Sequence, residues 1–258
     1  MMVPTMKLVR YALAGWTPGG SRACALCGHK VWRFMPYRMG HRGSPPLMHA
    51  LDVVGSDVDN FECPRCGAHD RERHLLLYMR ATGLFDRMPG MRVLHFAPER
   101  RLWPKIAATT PAKYVRCDLF PAATDVMKVD IESMPFADAA FDLVIANHVL
   151  EHVGDDGKAV REVARVLAPG GFAILQTPYS AKLHATWRDP GIDMPEARLQ
   201  AYGQEDHTRL FGRDIFERIA SAGFESHVRR HAELLGDVDP VIAGVNADEP
   251  FFLFRKLD

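Results

Sequence analysis

The sequence predicts an α/β protein in which a mostly parallel sheet carries helices on both faces, preceded by a small cysteine-rich segment. Three observations lead to this prediction. From residue 91 onward, short uninterrupted apolar runs alternate with amphipathic stretches of helical spacing. Before that point, the motif C-x-x-C-G occurs twice. The 258 residues are 47% hydrophobic and 25% charged, which is an ordinary globular composition that needs no disulfides to fold.

The predicted elements divide the chain into three parts: a cysteine-rich N-terminal segment over residues 1–69, a bridging helix and linker over 70–90, and the alternating α/β region over 91–258. Asp70 can cap the bridging helix, because charged residues there precede an apolar stripe. The strands expected in the third part are 92–97, 113–118, 141–147, 172–176, 225–230 and 251–254, and its helices are 102–109, 157–167 and 214–222. Parallel sheets bind ligands beyond the carboxyl ends of their strands, so the polar residues that follow each strand are the candidate site residues.

The formal net charge is zero, since 32 Lys and Arg residues balance 32 Asp and Glu residues. This balance argues against general electrostatic binding of nucleic acid, which needs a surplus of positive charge. The first 50 residues nevertheless contain seven basic residues and no acidic ones, so they form either a basic binding face or a solvated basic loop region. No apolar run approaches the roughly 18–20 residues of a membrane span, and we expect a soluble, cytoplasmic protein.

Four of the five cysteines form two C-x-x-C pairs, and a glycine follows each pair. The pairs are Cys24 with Cys27 and Cys63 with Cys66. The two-residue gap lets both sulfurs of one turn face a single ion, and two pairs supply the four thiolates of a closed tetrahedral site. The pattern therefore predicts a zinc ribbon with a structural Zn²⁺ ion, and two disulfides or unpaired thiols are the alternatives. Nearby histidines that could replace a thiolate are His29, His41, His69 and His74.

Polar segments follow the predicted strands of the third part. The first strand runs into residues 95–99, which lack the glycine-rich turn that is usual in nucleotide-binding domains. Asp118 ends the second strand, where a carboxylate can accept hydrogen bonds from ribose hydroxyls or can cap a turn. Asp130 precedes an apolar residue, so its carboxylate and the next backbone N–H can bind an adenine edge. Asn147 ends the most apolar strand of the chain.

Residues 93–99, 118, 130–136, 141–153 and 167–171 resemble, in that order and at familiar spacing, the class I S-adenosylmethionine-dependent methyltransferases. The Leu-Glu-His turn and the Leu-x-Pro-Gly-Gly run are similar to those of the subgroup that methylates small molecules. The resemblance covers roughly residues 91–258 and implies a Rossmann-like methyltransferase fold, methyltransferase activity and S-adenosylmethionine as cofactor. The cofactor-binding residues that it implies are His95, Phe96, Ala97, Glu99, Asp118, Leu119, Asp130, Ile131 and Asn147.

The first loop departs from the family's pattern of an acidic residue followed by alternating glycines. His95 stands at the acidic position, and Ala97 and Glu99 stand at glycine positions. The Glu99 carboxylate can meet the methionine ammonium of the cofactor and so preserve the sign of that interaction. The alternative is a degenerate site in a protein without catalytic activity.

Methyl transfer needs the acceptor to be aligned with the carbon–sulfur bond, and it needs a base only if the acceptor arrives protonated. The candidate catalytic bases are His148, His152 and His207, because imidazole titrates near neutrality. His152 lies four residues after His148, so both can share one helical face. Packing or contact with the cofactor is the alternative role for these side chains.

Three functions fit these observations. The favoured one is methyl transfer to a small-molecule or glycan acceptor. An RNA methyltransferase that holds nucleic acid with its zinc ribbon is the second, which the basic first 50 residues favour and the overall neutrality disfavours. The third is a non-catalytic module whose ribbon docks a partner. Titration with the cofactor distinguishes the third from the others.

Overall fold

The computed structural model describes residues 4–258, so the first three residues of the predicted segment 1–69 lie outside the described part. The helices are α1 (Pro4–Trp16), α2 (Pro46–Ala50), α3 (Asp70–Ala81), α4 (Trp103–Ala107), α5 (Asp156–Val166), α6 (Pro195–Tyr202), α7 (Ile215–Ala220), α8 (His231–Leu234) and α9 (Pro240–Ala243). The strands are β1 (Arg22–Ala23), β2 (Lys30–Val31), β3 (Val53–Val54), β4 (Arg92–Phe96), β5 (Lys113–Asp118), β6 (Met127–Lys128), β7 (Phe141–Ala146), β8 (Leu167–Ile174), β9 (Tyr179–Ser180), β10 (Phe224–Ser226) and β11 (Leu253–Lys256). Across residues 4–258, none of the helices combines the length and the hydropathy that a bilayer-spanning helix requires.

Seven strands form one sheet, whose spatial order is β6, β5, β4, β7, β8, β11, β10. The strands from β4 to β8 run parallel, and β11 runs antiparallel to both of its neighbours. The order reverses between β4 and β7, because the chain moves from β4 towards one edge of the sheet and from β7 towards the other. The crevice at such a switch point is where open α/β sheets bind their ligands.

Continuous apolar strands bury both faces of this sheet. In β7, the side chains of Leu143, Val144 and Ile145 are all fully buried. Val144 belongs to the core cluster that includes α5 and α7, whereas Leu143 and Ile145 belong to the cluster that includes α3 and α4. Successive side chains of one strand therefore reach helices on opposite faces. Each fully buried side chain of this size contributes roughly 1.5–3 kcal/mol to folding.

Several strand boundaries differ from the prediction. β8 begins at Leu167, so the Pro-Gly-Gly run lies inside this strand, where its register with β7 shifts. A Cβ atom on Gly171 would lie 2.8 Å from the Ala168 carbonyl oxygen, so the bend needs a glycine. β10 ends at Ser226, before the predicted end at residue 230, and β11 is displaced towards the C-terminus relative to the predicted strand 251–254.

Helix α3 begins at Asp70, as the charge pattern predicts, but the residue that caps it is His69. The Glu72 carboxylate accepts a hydrogen bond from the His69 N–H at 2.9 Å. Asp70 is instead buried, and one of its oxygens accepts a hydrogen bond from the Asp57 N–H at 2.5 Å. Burial, followed by the nearby Glu249 carboxylate, raises the pKa of Asp70 to about 7.

Arg73 of α3 ties the cysteine-rich segment to the rest of the protein. Its side chain is fully buried, and the guanidinium lies 3.9 Å from the centroid of the Phe34 ring. It donates hydrogen bonds to the carbonyl of Ala68 at 2.8 Å and to that of Gly244 at 2.6 Å. One side chain thus links the second cysteine turn to the end of α9.

The long segment between the two cysteine pairs packs on the α/β region. β3 pairs antiparallel with β9, with Val53 opposite Ser180. The Ser180 hydroxyl donates to the Leu51 carbonyl at 2.6 Å. Met48 of α2 shares a small apolar cluster with Tyr202 of α6. This segment therefore lies against the chain that follows β8 at the carboxyl end of the sheet.

Candidate active site

The loop after β4 keeps the backbone conformation of a glycine turn although it contains no glycine. Ala97 has a φ of +46°, in the left-handed region that favours glycine. Its N–H donates to the Cys117 carbonyl of β5 at 2.8 Å, and its side chain is exposed. Phe96, which precedes it, is buried in the core. At this position the loop therefore presents only a methyl group to the crevice.

A buried polar network connects the ends of β4 and β7. The Nδ1 atom of His95 lies 2.8 Å from the Tyr114 hydroxyl, and its Nε2 atom lies 2.8 Å from a carboxylate oxygen of Glu99. The other Glu99 oxygen accepts a hydrogen bond from the Asn147 amide at 2.5 Å. Burial alone would raise the pKa of Glu99, but the bonds with His95 and Asn147 outweigh it and lower that pKa. The network therefore holds an ionised carboxylate at the switch point.

The amide oxygen of Asn147 is buried and has no hydrogen-bond partner among the described residues. A buried acceptor without a donor is costly, so a ligand that supplies N–H groups would be stabilised there. Together with the negative charge of Glu99, this oxygen suits a primary ammonium group. The two side chains reach the same place from neighbouring strands, which the sequence spacing does not reveal.

Asp118 ends β5 and Asp130 follows β6, and these two strands are adjacent in the sheet. Each carboxylate accepts a hydrogen bond from the N–H two residues further on, Phe120 in one loop and Glu132 in the other, at 2.8 Å in both. These local turns fix the direction of both carboxylates. Ile131 is buried beside Asp130. The two acidic side chains therefore lie at the same edge of the sheet as Glu99.

Two large apolar side chains near this edge are exposed. Leu119 is 45% exposed and Phe120 is 79% exposed, directly after Asp118. Exposed apolar groups beside fixed carboxylates provide the mixed surface that a nucleoside needs: an apolar contact for the base and acceptors for its hydroxyl and amine groups. The chemistry of this edge fits an adenosine moiety.

His148 lies at the end of β7 between two buried carboxylates. Its Nδ1 atom is 3.3 Å from Glu151, and its Nε2 atom is 3.5 Å from Glu249. Burial alone would lower its pKa, but the contacts with these carboxylates outweigh burial and raise the pKa to about 9. A protonated imidazole cannot accept a proton, so this pairing favours a fixed positive charge at His148 over a general base.

The other two candidate histidines, His152 and His207, also lie beside Glu151. The rings of His152 and His207 meet edge to face with centroids 4.9 Å apart. One nitrogen of each ring and one carboxylate oxygen of Glu151 all lie within 4.8 Å of one another. The three candidate bases thus separate into an ion-paired residue, His148, and a Glu–His–His cluster formed by Glu151, His152 and His207.

Two neighbouring cavities share Ser44, Pro45, Gly203 and Gln204 in their walls. The larger, of about 800 Å³, is lined by His148 and His207 together with residues 52–60 and 245–248. The smaller, of about 710 Å³, has a basic lining that includes Lys7, Arg10, Arg38 and Arg71. Both volumes suit a small ligand or a segment of a larger one. The chain between the cysteine pairs contributes to both walls.

The four cysteines form a compact cluster. The Sγ atoms of Cys24 and Cys66 are 3.8 Å apart, and those of Cys27 and Cys63 are 4.0 Å apart. A disulfide would need ~2.05 Å, whereas a tetrahedral ion with Zn–S bonds of ~2.3 Å places its sulfurs ~3.8 Å apart. All five cysteines are free thiols. The spacing therefore fits four thiolates around one ion.

The two cysteine turns have matching backbones. The glycines that follow the pairs, Gly28 and Gly67, have φ values of +73° and +74°. Their N–H groups donate to the carbonyls of Cys24 and Cys63, at 2.8 Å in both turns. Only glycine adopts this left-handed conformation without strain, so both turns fold in the same way. The repeated motif therefore produces a repeated structure.

Three residues of the site are not predicted from the sequence: Tyr114, Thr177 and Glu249. Tyr114 and Thr177 contact His95 and Glu151 through their hydroxyl groups, and Glu249 contacts His148 from near the C-terminus. Tyr114 offered a weak signal, since a tyrosine in an apolar strand usually finds a partner for its hydroxyl group. Glu249 lies in an irregular segment, and no pattern in the sequence marks it.

Residues 102–175 match the family described as a methyltransferase domain. The chain is 33% identical over 102 residues to a probable S-adenosylmethionine-dependent methyltransferase of Mycolicibacterium smegmatis, which covers 39% of this chain and 35% of that protein. It is 36% identical over 91 residues to the uncharacterized methyltransferase YcgJ of Bacillus subtilis, which covers 35% of this chain and 34% of that protein. The chain therefore spans about a third of the length of these relatives. A crystal structure of an S-adenosylmethionine-dependent methyltransferase from Mesorhizobium loti aligns with a TM-score of 0.44 at 15% identity, covering 68% of this chain and 94% of that one.

The matched segment runs from the residue before α4 to the residue after β8, and thus includes β5, which ends in Asp118, and β7, which Asn147 follows. The sheet has the strand order and the parallel strands of a Rossmann-like fold, which confirms the predicted fold class. Residues 102–175 within this fold are similar to a methyltransferase domain. The cysteine-rich segment lies outside the matched residues.

Proposed function

We propose that the protein is an S-adenosylmethionine-dependent methyltransferase that transfers a methyl group to a small-molecule or glycan acceptor. The observation that carries this proposal is the position of Glu99, Asn147, Asp118 and Asp130 at the carboxyl edge of a methyltransferase domain. These side chains supply acceptors for an ammonium group, for ribose hydroxyls and for an adenine amine.

Each part of the cofactor has a proposed partner. Asp118 would accept hydrogen bonds from the ribose hydroxyls, with Leu119 as an apolar contact beside it. Asp130 would accept from the adenine amine while the N–H of Ile131 donates to a ring nitrogen. The residues proposed to surround the methionine part are His95, Phe96, Ala97, Glu99 and Asn147. When bound, S-adenosylmethionine supplies a methyl group that its positive sulfonium has already activated.

The left-handed backbone at Ala97 supports a working cofactor site. The loop gives up two glycines of the family's pattern, yet Ala97 retains a φ of +46°. Glu99 does not block the crevice as a loose side chain, because His95 and Asn147 hold both of its oxygens. The loop therefore replaces backbone contacts with one fixed carboxylate. This arrangement favours a functional site over a degenerate one.

The cavity of about 800 Å³ is the proposed acceptor site. His148 and His207 line it, close to the end of β7, where Asn147 would meet the cofactor. The remaining wall mixes apolar valines and prolines with the side chains of Asp52, Asp57, Asp59 and Asp248, which would accept hydrogen bonds from the hydroxyl groups of an acceptor. The protein's own contribution to the reaction is to orient that acceptor and exclude water.

We also propose that the four-cysteine cluster holds one structural Zn²⁺ ion. The sulfur spacings of 3.8 and 4.0 Å support it, since they match a tetrahedral site. Four thiolates leave no open position for a substrate, so the ion would have no part in methyl transfer. Free thiols are kept reduced in the cytoplasm, where we expect the protein to act.

Calorimetric titration with S-adenosylhomocysteine tests the cofactor site. We expect Asp118→Ala and Asp130→Ala each to weaken binding by about 10- to 100-fold, because each removes hydrogen bonds to a charged acceptor worth ~1.5–3 kcal/mol. Asp125→Ala is the matched control: this exposed aspartate lies between the two loops and pairs with Arg116. It should retain full affinity. Absence of binding by the unmodified protein would refute the proposal and favour a non-catalytic module.

The basic cavity of about 710 Å³ favours RNA methylation as a second candidate function. Lys7, Arg10, Arg38 and Arg71 line it, and the first three belong to the basic first 50 residues. An RNA acceptor would bind with an affinity that falls steeply with salt, because its phosphates release counterions. RNA binding that is undetectable at low salt would exclude this candidate and leave the small-molecule or glycan acceptor.

A further inference from the structure

The Glu–His–His cluster contains two buried polar atoms that lack a hydrogen-bond partner. Glu151 is 1% exposed, and one of its oxygens accepts a hydrogen bond from the Thr177 hydroxyl at 2.9 Å. Its other oxygen, Oε1, has no hydrogen-bond partner in the described part of the chain. His148 approaches that oxygen to 3.3 Å, but the geometry does not make a hydrogen bond. Oε1 therefore has the charge of His148 nearby, but it still lacks a hydrogen bond and retains a lone pair for a further ligand.

The two imidazoles of the cluster are oriented through their Nδ1 atoms. The Nδ1 atom of His207 lies 2.9 Å from the Tyr202 carbonyl oxygen, which requires a proton on that nitrogen. The Nε2 atom of His207 therefore carries a lone pair, and it is buried without a partner among residues 4–258. His152 directs its Nδ1 atom to a carboxylate oxygen of Asp206 at 3.3 Å, and its Nε2 atom lies 4.0 Å from Oε1 of Glu151.

This arrangement is typical of histidines that bind a metal. A metal-bound imidazole usually donates its second N–H to a carbonyl or a carboxylate, which fixes its tautomer and its direction. His207 has the carbonyl of Tyr202 in that role, and His152 has the carboxylate of Asp206. Thr177 does the same for the Glu151 carboxylate. The supporting contacts of a metal site are therefore in place around the three ligand atoms.

We propose that Glu151, His152 and His207 bind a divalent transition-metal ion, and that its open positions hold an oxygen of the acceptor. The three ligand atoms lie within 4.8 Å of one another, so one point lies no more than ~2.8 Å from all of them. Bonds of ~2.0–2.2 Å then need shifts of less than ~1 Å. Two imidazoles and one carboxylate suit Zn²⁺, Mn²⁺ or Fe²⁺.

The position of the cluster assigns the ion to the acceptor. His207 lines the cavity of about 800 Å³, so the open side of the ion faces the proposed acceptor site. An acceptor with hydroxyl or carboxylate oxygens would bind there, and a metal-bound hydroxyl loses its proton more readily than a free one. His152 and His207 would then act as ligands and not as bases. This inference rests on the proposed function for the acceptor, but the metal site itself does not.

Titration of the full-length, zinc-loaded protein with Mn²⁺, followed by electron paramagnetic resonance, tests the site. Mn²⁺ prefers nitrogen and oxygen ligands, so the four thiolates do not compete for it. We expect about one Mn²⁺ ion per chain. His152→Gln and His207→Gln should each weaken binding at least tenfold. His41→Gln is the matched control, because His41 lines the same cavity outside the cluster and should leave the affinity unchanged.

Absence of Mn²⁺ binding, or equal affinity in His152→Gln and the unmodified protein, would overturn the proposal. His152 is partly exposed, so its substitution decides the question even if the buried His207 variant fails to fold. Calorimetry with S-adenosylhomocysteine on the same samples separates this inference from the proposed function. Cofactor binding without Mn²⁺ binding would refute the metal site alone. Mn²⁺ binding without cofactor binding would support the metal site and refute the methyltransferase function.

Discussion

The four-cysteine cluster and the Glu–His–His cluster differ in how they are enclosed and assembled. The cysteines come from two turns with matching glycine conformations and hydrogen bonds, and their four sulfurs lie within 4.8 Å of one another. The Glu–His–His cluster offers three ligand atoms within the same distance, and His207 borders a cavity. Four thiolates would complete the coordination of a tetrahedral ion, whereas three ligands would leave a position open for a ligand of the ion.

This difference shows which kind of site the spacing of residues in a sequence can predict. The cysteine cluster follows from a motif that occurs twice, so the sequence predicts its ligands. In the Glu–His–His cluster, only Glu151 and His152 are neighbours in sequence. His207 arrives through contacts of the chain after α6, where the Thr208 hydroxyl bonds to the Glu151 carbonyl at 3.1 Å. A site that the tertiary fold assembles should therefore fail when that fold is disturbed at a distance.

The largest expected effect comes from breaking the closed cluster. Cys63→Ala should remove one equivalent of zinc per chain and lower the free energy of unfolding by several kcal/mol, since structural zinc contributes ~10–16 kcal/mol of apparent binding energy in small zinc peptides. Metal analysis and denaturant unfolding measure both effects. Cys117→Ala is the control, because Cys117 is buried in the core outside the cluster and should keep all the metal. Full stability of metal-free protein would contradict a structural ion.

Arg209 tests whether a buried ion pair positions the Glu–His–His cluster. Its buried guanidinium donates to the Asp156 carboxylate and, at 2.9 Å, to the Gly154 carbonyl, just after His152. Arg209→Met should lower the free energy of unfolding by about 3 kcal/mol, because it removes one partner of a buried ion pair, and it should also weaken Mn²⁺ binding. Denaturant titration and Mn²⁺ titration provide the two measurements.

Arg218→Met is the matched control for Arg209. Arg218 bonds to the other oxygen of Asp156 at 2.5 Å, but its side chain is 41% exposed. Its loss should cost no more than about 1 kcal/mol and should leave Mn²⁺ binding intact. Equal losses in the two variants would show that the burial of Arg209 has no special role in positioning the cluster.

Asp70, at the start of α3, provides a test that depends on pH and not on the loss of a ligand or an ion pair. Burial raises its pKa from 3.8 to about 7, so the folded state binds this proton more tightly than the unfolded state. Its contribution to the free energy of unfolding is full below pH ~4 and is lost as the pH rises towards 7. Asp70→Asn cannot ionise, so its stability relative to the unmodified protein should increase between pH 4 and pH 8, by ~2–4 kcal/mol at most. Denaturant unfolding at both pH values measures this, and a difference that does not change with pH would contradict it.

The parts of the molecule that the sequence predicts are those with a local pattern. The apolar run of β7 and the repeated cysteine motif each carry their own signal, and both fold as expected. By contrast, β3 and β9 are each two residues long and are separated by about half of the chain, so hydrophobic periodicity does not predict them. The Pro-Gly-Gly run misleads for a related reason: Gly171 permits a bulge within β8 where the local pattern predicts a break.

The candidate site likewise has parts that the sequence predicts and parts that it does not. The acidic residues after β5 and β6 were predictable, because parallel strands end at a common edge. The contact of Glu99 with Asn147 and the gathering of His207 beside Glu151 depend on contacts between segments that are distant in sequence. Residue spacing gives no information about such contacts. From the sequence, His152 and His207 are therefore predicted only as separate candidate bases.

A crystal structure of the protein with S-adenosylhomocysteine tests the central claim most directly. We expect ribose hydroxyls within hydrogen-bond distance of Asp118 and the adenine amine at Asp130. We expect the amino group of the ligand at the Asn147 amide oxygen beside Glu99. A nucleoside bound elsewhere, for example in the basic cavity beside Lys7, with Asp118 and Asp130 making only their own turns, would contradict it.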